Sequence, residues 1–291
     1  MQLVYRLLVV LIFLLFASAS YGSRSNQQPP AIGNFALSTS QQPGPLVGFG
    51  ENIINKNQIQ LFLAADDFGG VNKHFVDVIP SILYGITDAL SIFINAPIAA
   101  SYVQNANHSS GFEDAFIQLE DAFYTRKTQF FIDQATIVGN ITFPTGSATK
   151  QPPTGAGSPS FFLGTTFNRM YTDWFVFISP GAMLTTTNDN TKLGDEFLYQ
   201  FGFGRNIKVI NGWLFAWMLE VDGQYTQRNK INGTTDLNSG GNVIYATPSL
   251  WISSKKLILQ LGAGVPIEQS LYGNQTRNSY LLIANLGWTF N

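Results

Sequence analysis

The sequence predicts an all-β fold, an up-and-down antiparallel transmembrane β-barrel of about twelve strands. Three observations predict it. Segments of about ten residues alternate apolar and polar side chains, short connections alternate with long ones, and tryptophans gather at one end of the strands. A tilted strand needs roughly 9–11 residues to cross a bilayer. In such a wall one face suits lipid and the other a polar interior.

The composition agrees. Of 291 residues only 12% are charged, the net charge is −2, and 14% are aromatic. That balance offers no basic footprint for nucleic acid. The absence of cysteine excludes a disulfide framework, a thiolate metal site and a lipid anchor on cysteine.

At the N-terminus Arg6 precedes an apolar run from Leu7 to Phe16 and the small residues Ala17, Ser18, Ala19 and Ser20. Residues 1–22 therefore read as a cleaved secretory signal, too short for a spanning helix. After residue 22 no apolar run is long enough to span as a helix, so a mature chain in a membrane has to be there as a closed barrel. Residues 23–56 are rich in Pro and Gln, with Gln27, Gln28, Pro29, Pro30, Gln41, Gln42, Pro43 and Pro45. They form a leader without periodicity, and the plainer reading is a periplasmic tail, the other a plug folded into the barrel mouth. Residues 57–291 are the barrel domain.

Within it, strands are expected at 57–65, 74–85, 89–99, 113–124, 128–143, 160–169, 173–184, 195–205, 213–225, 242–252, 256–266 and 278–290. In the last, Tyr280, Leu282, Ala284, Leu286, Trp288 and Phe290 share one face, with Asn285, Gly287 and Thr289 on the other. In the eighth, Phe197, Tyr199, Phe201 and Phe203 alternate with Glu196, Gln200, Gly202 and Gly204. Connections after even strands are short (86–88, 125–127, 170–172, 206–212, 253–255). Those after odd strands are longer (66–73, 100–112, 144–159, 185–194, 226–241, 267–277). Short periplasmic turns and long outer loops give this pattern. Trp174, Trp213, Trp251 and Trp288 then fall at the periplasmic end, as an aromatic girdle requires. Arg126, Lys127, Arg169, Arg205, Lys208, Lys255 and Lys256 gather there too. Pro80, Pro97, Pro180, Pro248 and Pro266 resist the pattern, because proline removes a ladder donor; bulges or strand ends are expected to absorb them.

Several stretches carry a family resemblance: Pro80 to Asp88 (PSILYGITD), Phe143-Pro144-Thr145-Gly146, Gly194-Asp195-Glu196, Leu219 to Tyr225 (LEVDGQY) and Asn238 to Asn242 (NSGGN). In order and spacing the chain resembles, over roughly 60–290, the outer-membrane proteins grouped as the MetA-pathway of phenol degradation family. The resemblance implies a transporter-like barrel in the bacterial outer membrane that passes small, aromatic or hydrophobic molecules. Phe290 is followed by Asn291, a departure from the terminal aromatic by which barrels are recognised for assembly.

Chemistry-bearing constellations are sparse. His74 and His108 fall at or in expected outer loops, and the set His108-Ser109-Ser110 reads as a solvated loop rather than a nucleophile and base. Asn188, Asp189, Asn190, Asp195 and Glu196 could offer oxygens to Ca²⁺ but read as turn residues. No catalytic site, metal or cofactor is predicted. The informative set faces inward. Asp114, Gln118, Glu120, Glu196, Gln200, Glu220, Asp222 and Gln224 are the candidate lumen lining, since a charge on the lipid face is costly. Glu196 is expected beside Asp222 across the 206–212 turn, with Arg228 able to come between them.

The expected function is an outer-membrane channel or transporter for small molecules; the alternative is a structural or surface-interaction barrel with an occluded lumen. Expected partners are outer-membrane lipids, the barrel-assembly machinery and small solutes, without nucleic acid.

Overall fold

The computed structural model describes residues 28–290. The expected signal segment, 1–22, and the first residues of the leader lie outside the described residues. Twelve antiparallel strands close into one barrel. They are β1 (Ile59–Gly70), β2 (Lys73–Gly85), β3 (Leu90–Asn95 and Ile98–Gln104), β4 (Asn107–Phe112 and Phe116–Lys127), β5 (Phe131–Thr142) and β6 (Ser160–Tyr171). After them come β7 (Trp174–Thr185), β8 (Glu196–Ile210), β9 (Trp213–Thr226), β10 (Gly241–Ser253), β11 (Leu257–Leu271) and β12 (Asn278–Phe290). Each strand pairs with its sequence neighbours, and β1 pairs with both β2 and β12, from Ile59 opposite Phe290 to Gly70 opposite Asn278. Closure leaves the wall no open edge, as backbone in hydrocarbon demands.

Period-two alternation sets the two faces. Outward positions carry large exposed apolar side chains, among them Leu63, Ile94, Ile178, Phe201, Leu250 and Leu286. An apolar surface of that extent, running round a closed wall, belongs against hydrocarbon. Trp174, Trp213, Trp217 and Trp288 point outward toward the short-turn end. Trp251 does not join them; it is 9% exposed and packs inward with Leu214, Ala216 and Ile258. Ile252 takes the outward place beside it, opposite Phe215 of β9.

The connections depart from strict alternation. At the short-turn end they run 86–89, 128–130, 172–173, 211–212 and 254–256. At the other end two expected long loops are also tight, Val71-Asn72 and Asn105-Ala106, because Asn72 and Asn105 adopt the left-handed backbone (φ 57° and 55°). The strands extend into these hairpins, so His74 and His108 lie on strand rather than in loops. The remaining outer connections, 143–159, 186–195, 227–240 and 272–277, are longer. Four two-residue strands from 186–195 and 227–240 pair into a small sheet of their own.

The prolines sit where the ladder is interrupted. β3 breaks at Ala96-Pro97, opposite the 113–115 interruption of β4, and Glu113 N–H donates to Pro97 O at 3.0 Å. Between β6 and β7 the pairing skips from Gly164–Gly181 to Phe167–Ile178 around Pro180. Thr165, inside this gap, bonds to its other neighbour instead, its Oγ1 donating to Thr136 O of β5 at 2.7 Å.

This topology predicts opposite accessibility for two single cysteines in a chain that has none of its own. Thr235→Cys, in the small sheet, should react with an impermeant thiol reagent on whole cells. Lys255→Cys, in a short turn, should stay silent until the envelope is opened; the reverse pattern would invert the barrel.

Candidate functional site

The leader is not a tail. Residues 28–32 are largely exposed at the short-turn end; from Asn34 the leader lies inside the barrel, rises to mid-height and returns to the same end, where β1 begins. Its ascent is fixed first by Asn34, whose backbone N–H donates to Thr172 O and whose Nδ2 donates to Tyr171 O, at 2.8 and 2.9 Å. Phe35 then enters an apolar cluster with Met170, Phe175, Phe177 and Met218. Leu37 packs against the second cluster, Leu214, Ala216, Trp251 and Ile258. The lumen near the short turns is therefore a small hydrophobic core, which the sequence reading of a polar interior missed. The local signal was present: Leu214, Trp251 and Ile258 put apolar residues on both faces of their strands.

Above this core the seat turns polar. Gln41 Nε2 donates to Thr289 Oγ1 at 2.5 Å, while its backbone O accepts from Ser253 Oγ at 2.8 Å. Gln60 Nε2 donates to Ser40 O at 2.8 Å and Gln260 Nε2 to Pro45 O at 3.1 Å. At the apex two wall carboxylates receive successive backbone N–H groups. Glu220 accepts from Leu46 at 2.9 Å, and from Val47 and Gly48 each at 3.2 Å. Glu120 accepts from Glu51 at 2.7 Å and from Asn52 at 3.0 Å. Between them Gln200 Oε1 accepts from Phe49 N–H (3.3 Å) and Gln118 Nε2 donates to Phe49 O (3.1 Å). Glu120 is 1% exposed and Glu220 is fully buried. Neither forms an ion pair among the described residues. Converging backbone N–H groups occupy the carboxyl oxygens in place of a cation.

The apex also fits closely. A Cβ on Gly50 would collide with Thr166 Oγ1. The Phe49 ring meets Phe162 edge-on at 4.6 Å. On the descent Ile54 N–H donates to Ser91 Oγ (3.3 Å) and Lys56 N–H to Asp88 Oδ1 (2.9 Å).

Of the eight expected lumen residues, Gln118, Glu120, Gln200 and Glu220 thus hold the leader. Asp222 faces the same space opposite Gln200, and accepts from Thr247 Oγ1 at 3.4 Å. Asp114 lies elsewhere, accepting from Gly146 and Ala156 in the 143–159 connection. Gln224 faces the outer mouth, and Glu196 lines a separate space of about 200 Å³. Glu196 is opposite Thr226, not Asp222. The register differs because the turn is only Asn211-Gly212, both at positive φ (51° and 78°), so the strands pair further down than a 206–212 loop would allow. Arg228 stacks over Tyr272 at the outer mouth, 4.5 Å from its ring centroid, and comes between no carboxylates there. The wall residues Gln60, Ser253, Gln260 and Thr289, which hold the leader, were not among the expected lumen lining, although they are polar inward positions in largely apolar strands.

The other constellations are also resolved. Ser109 Oγ donates to Pro152 O at 2.6 Å. The hydroxyl near His108 is Ser101 Oγ, 3.5 Å from Nε2, the outer limit of a hydrogen bond. Asp195 is taken up by Lys192 and Thr185.

No family model matches the chain, and no curated protein matches it in sequence. Among solved structures it is similar to an outer membrane channel from Pseudomonas putida F1. The TM-score is 0.68 and the identity 14%, covering 86% of this chain and all of that one. The NanC porin superposes more loosely, with TM-score 0.48 and 8% identity over 79% of this chain and 99% of that one. At these identities the likeness is one of fold, and the first match carries it.

The seat predicts that Gly50→Val expels the apex while leaving the wall intact. Chymotrypsin should then cut the folded barrel at Phe49, where the unaltered protein resists. Phe35→Ala, which empties an apolar site, should weaken the lower anchor by about 3 kcal/mol and raise cutting in the same direction. Ready cleavage of the unaltered protein at Phe49 would contradict a seated leader.

Proposed function

We propose that this chain is a channel of the bacterial outer membrane for small molecules, held closed by its own leader. The observation that carries the reading is that closure of the wall does not involve the leader. The β1–β12 ladder is complete without residues 28–58. Removing the leader would uncover Gln118, Glu120, Gln200, Glu220 and Asp222, side chains that water can solvate, so the emptied lumen would remain wettable. A space of about 840 Å³ already surrounds the leader, bordered by Phe62, Phe93, Phe116 and Phe162 as well as by polar groups. Those rings favour aromatic or hydrophobic solutes, in keeping with the resemblance to the phenol-pathway family.

The occupied seat also supports the second reading, a structural or surface-interaction barrel whose lumen stays blocked. Planar-bilayer conductance separates the two. The intact chain should conduct little, and deletion of residues 23–56 should open steady channels. The bared carboxylates would focus a negative potential, so these channels should prefer cations. Adding Glu220→Gln and Asp222→Asn should shift the reversal potential in a salt gradient away from that preference. A deletion that folds yet stays silent would overturn the channel reading in favour of the structural one.

A further inference from the structure

Outside the lumen, one part of the wall carries an arrangement that neither closure nor the leader uses. Arg126 of β4, Asp133 of β5 and Arg169 of β6 lie opposite one another in register, all on the outward face. They sit within two residues of the strand ends that meet the short turns, at the depth of the lipid headgroups on the periplasmic side of an outer-membrane barrel. Asp133 is 3% exposed, and Arg169 occupies both its oxygens, Nε to Oδ1 at 2.5 Å and Nη2 to Oδ2 at 2.7 Å. Arg126 is exposed and has no carboxylate partner among the described residues. Its guanidinium lies 5.6 Å from the centroid of the Phe131 ring, and that of Arg169 lies 4.6 Å from the same centroid. Two guanidiniums thus converge on one ring with a single carboxylate between them, leaving one positive charge in excess.

Aromatic rings continue from this point as a shelf. Phe131 is 5.5 Å from Tyr171, Tyr171 stacks on Trp174 at 4.2 Å, and Trp174 is 6.3 Å from Phe203. Arg205, also exposed, is opposite Trp174 in the ladder. Water alone would solvate these arginines at the interface, but it does not account for their convergence beside a flat apolar shelf. A guanidinium matches phosphate oxygens in a forked geometry, and interfacial rings pack against glycerol and upper acyl chain.

We propose that Arg126 and Arg169, with the Phe131–Tyr171–Trp174 shelf, bind the phosphate of an anionic phospholipid in the periplasmic leaflet. The occupant is chosen by charge and by position: the site faces the bilayer, carries excess positive charge, and is level with headgroups. It is independent of whether the lumen conducts.

The test uses the intact barrel, purified in detergent, exposed to phosphatidylglycerol or to phosphatidylethanolamine, and read by native mass spectrometry. The unaltered protein should retain phosphatidylglycerol in preference to the zwitterionic lipid. Arg126→Gln should lower that retention about threefold to tenfold, the range for losing one charge-assisted contact at a partly exposed site. It should still fold, since Asp133 keeps its Arg169 partner, and an unchanged heat-dependent gel shift checks this. Lys255→Gln, which removes a basic residue at the same end away from the shelf, should leave retention unchanged. Equal retention of the two lipids, or equal loss in the Arg126 and Lys255 variants, would overturn the proposal and reduce the arginines to unspecific interfacial charge.

Discussion

Backbone polar groups that cannot reach water must find partners in the protein, and both halves of this structure follow from that constraint. In the wall the requirement is met by strand pairing, which ends only when β1 meets β12. The leader meets the same requirement in a harder setting. It is irregular, and the strands around it have already committed their backbone groups to one another. Its N–H groups are satisfied by its own tight turns and by carbonyls at the strand ends, as Asn34 is by Thr172 O, and at mid-height by inward side chains. A carboxylate suits this role, with two oxygens and several lone pairs to offer. One Glu220 serves three successive N–H groups and one Glu120 serves two. Amide side chains at Gln200 and Gln118 complete the apex by accepting and donating on either side of Phe49.

The interior is consequently graded by depth. Near the short turns, Phe35 and Leu37 meet apolar wall residues, and burial of a side chain like Phe35 contributes about 1.5–3 kcal/mol. At mid-height the contacts are hydrogen bonds to carboxyl and amide acceptors, each worth about 0.5–1.5 kcal/mol net. The first kind resists displacement of the leader toward the outer mouth or the periplasm alike. The second depends on the oxygens of two carboxyl groups and on an apex slim enough to pass Thr166, which Gly50 provides. A leader held this way is separate from the wall that encloses it, and this separateness makes a gate conceivable at all.

Strand number, order, closure and the two faces of the eighth, ninth and twelfth strands were legible in the sequence, because period-two alternation survives wherever one face meets lipid. The same logic placed Glu120, Gln200 and Glu220 inside. Register was less legible. Asn72, Asn105 and Asn211 each shorten a connection by taking a left-handed conformation, and Glu196 moves away from Asp222 as a result. Trp251 was misassigned because an aromatic near a strand end fits a girdle and a core equally well until the face is known. The leader's path was the least legible. Its contacts join residues far apart in the chain, such as Leu46 with Glu220, and nothing periodic in a Pro- and Gln-rich segment announces them.

Residues 46–52 are seated on the wall by their backbone N–H groups, and amide hydrogen exchange measures this directly. In the folded, detergent-solubilised barrel the amides of Leu46, Val47, Gly48, Glu51 and Asn52 should exchange slowly, far below the rate of an unstructured segment of the same sequence. Glu220→Gln should accelerate exchange at 46–48 before it affects the strands, because an amide offers one accepting oxygen where those three N–H groups share two. Exchange at 46–52 as fast as in a free peptide, in a barrel whose strand amides remain protected, would contradict the account.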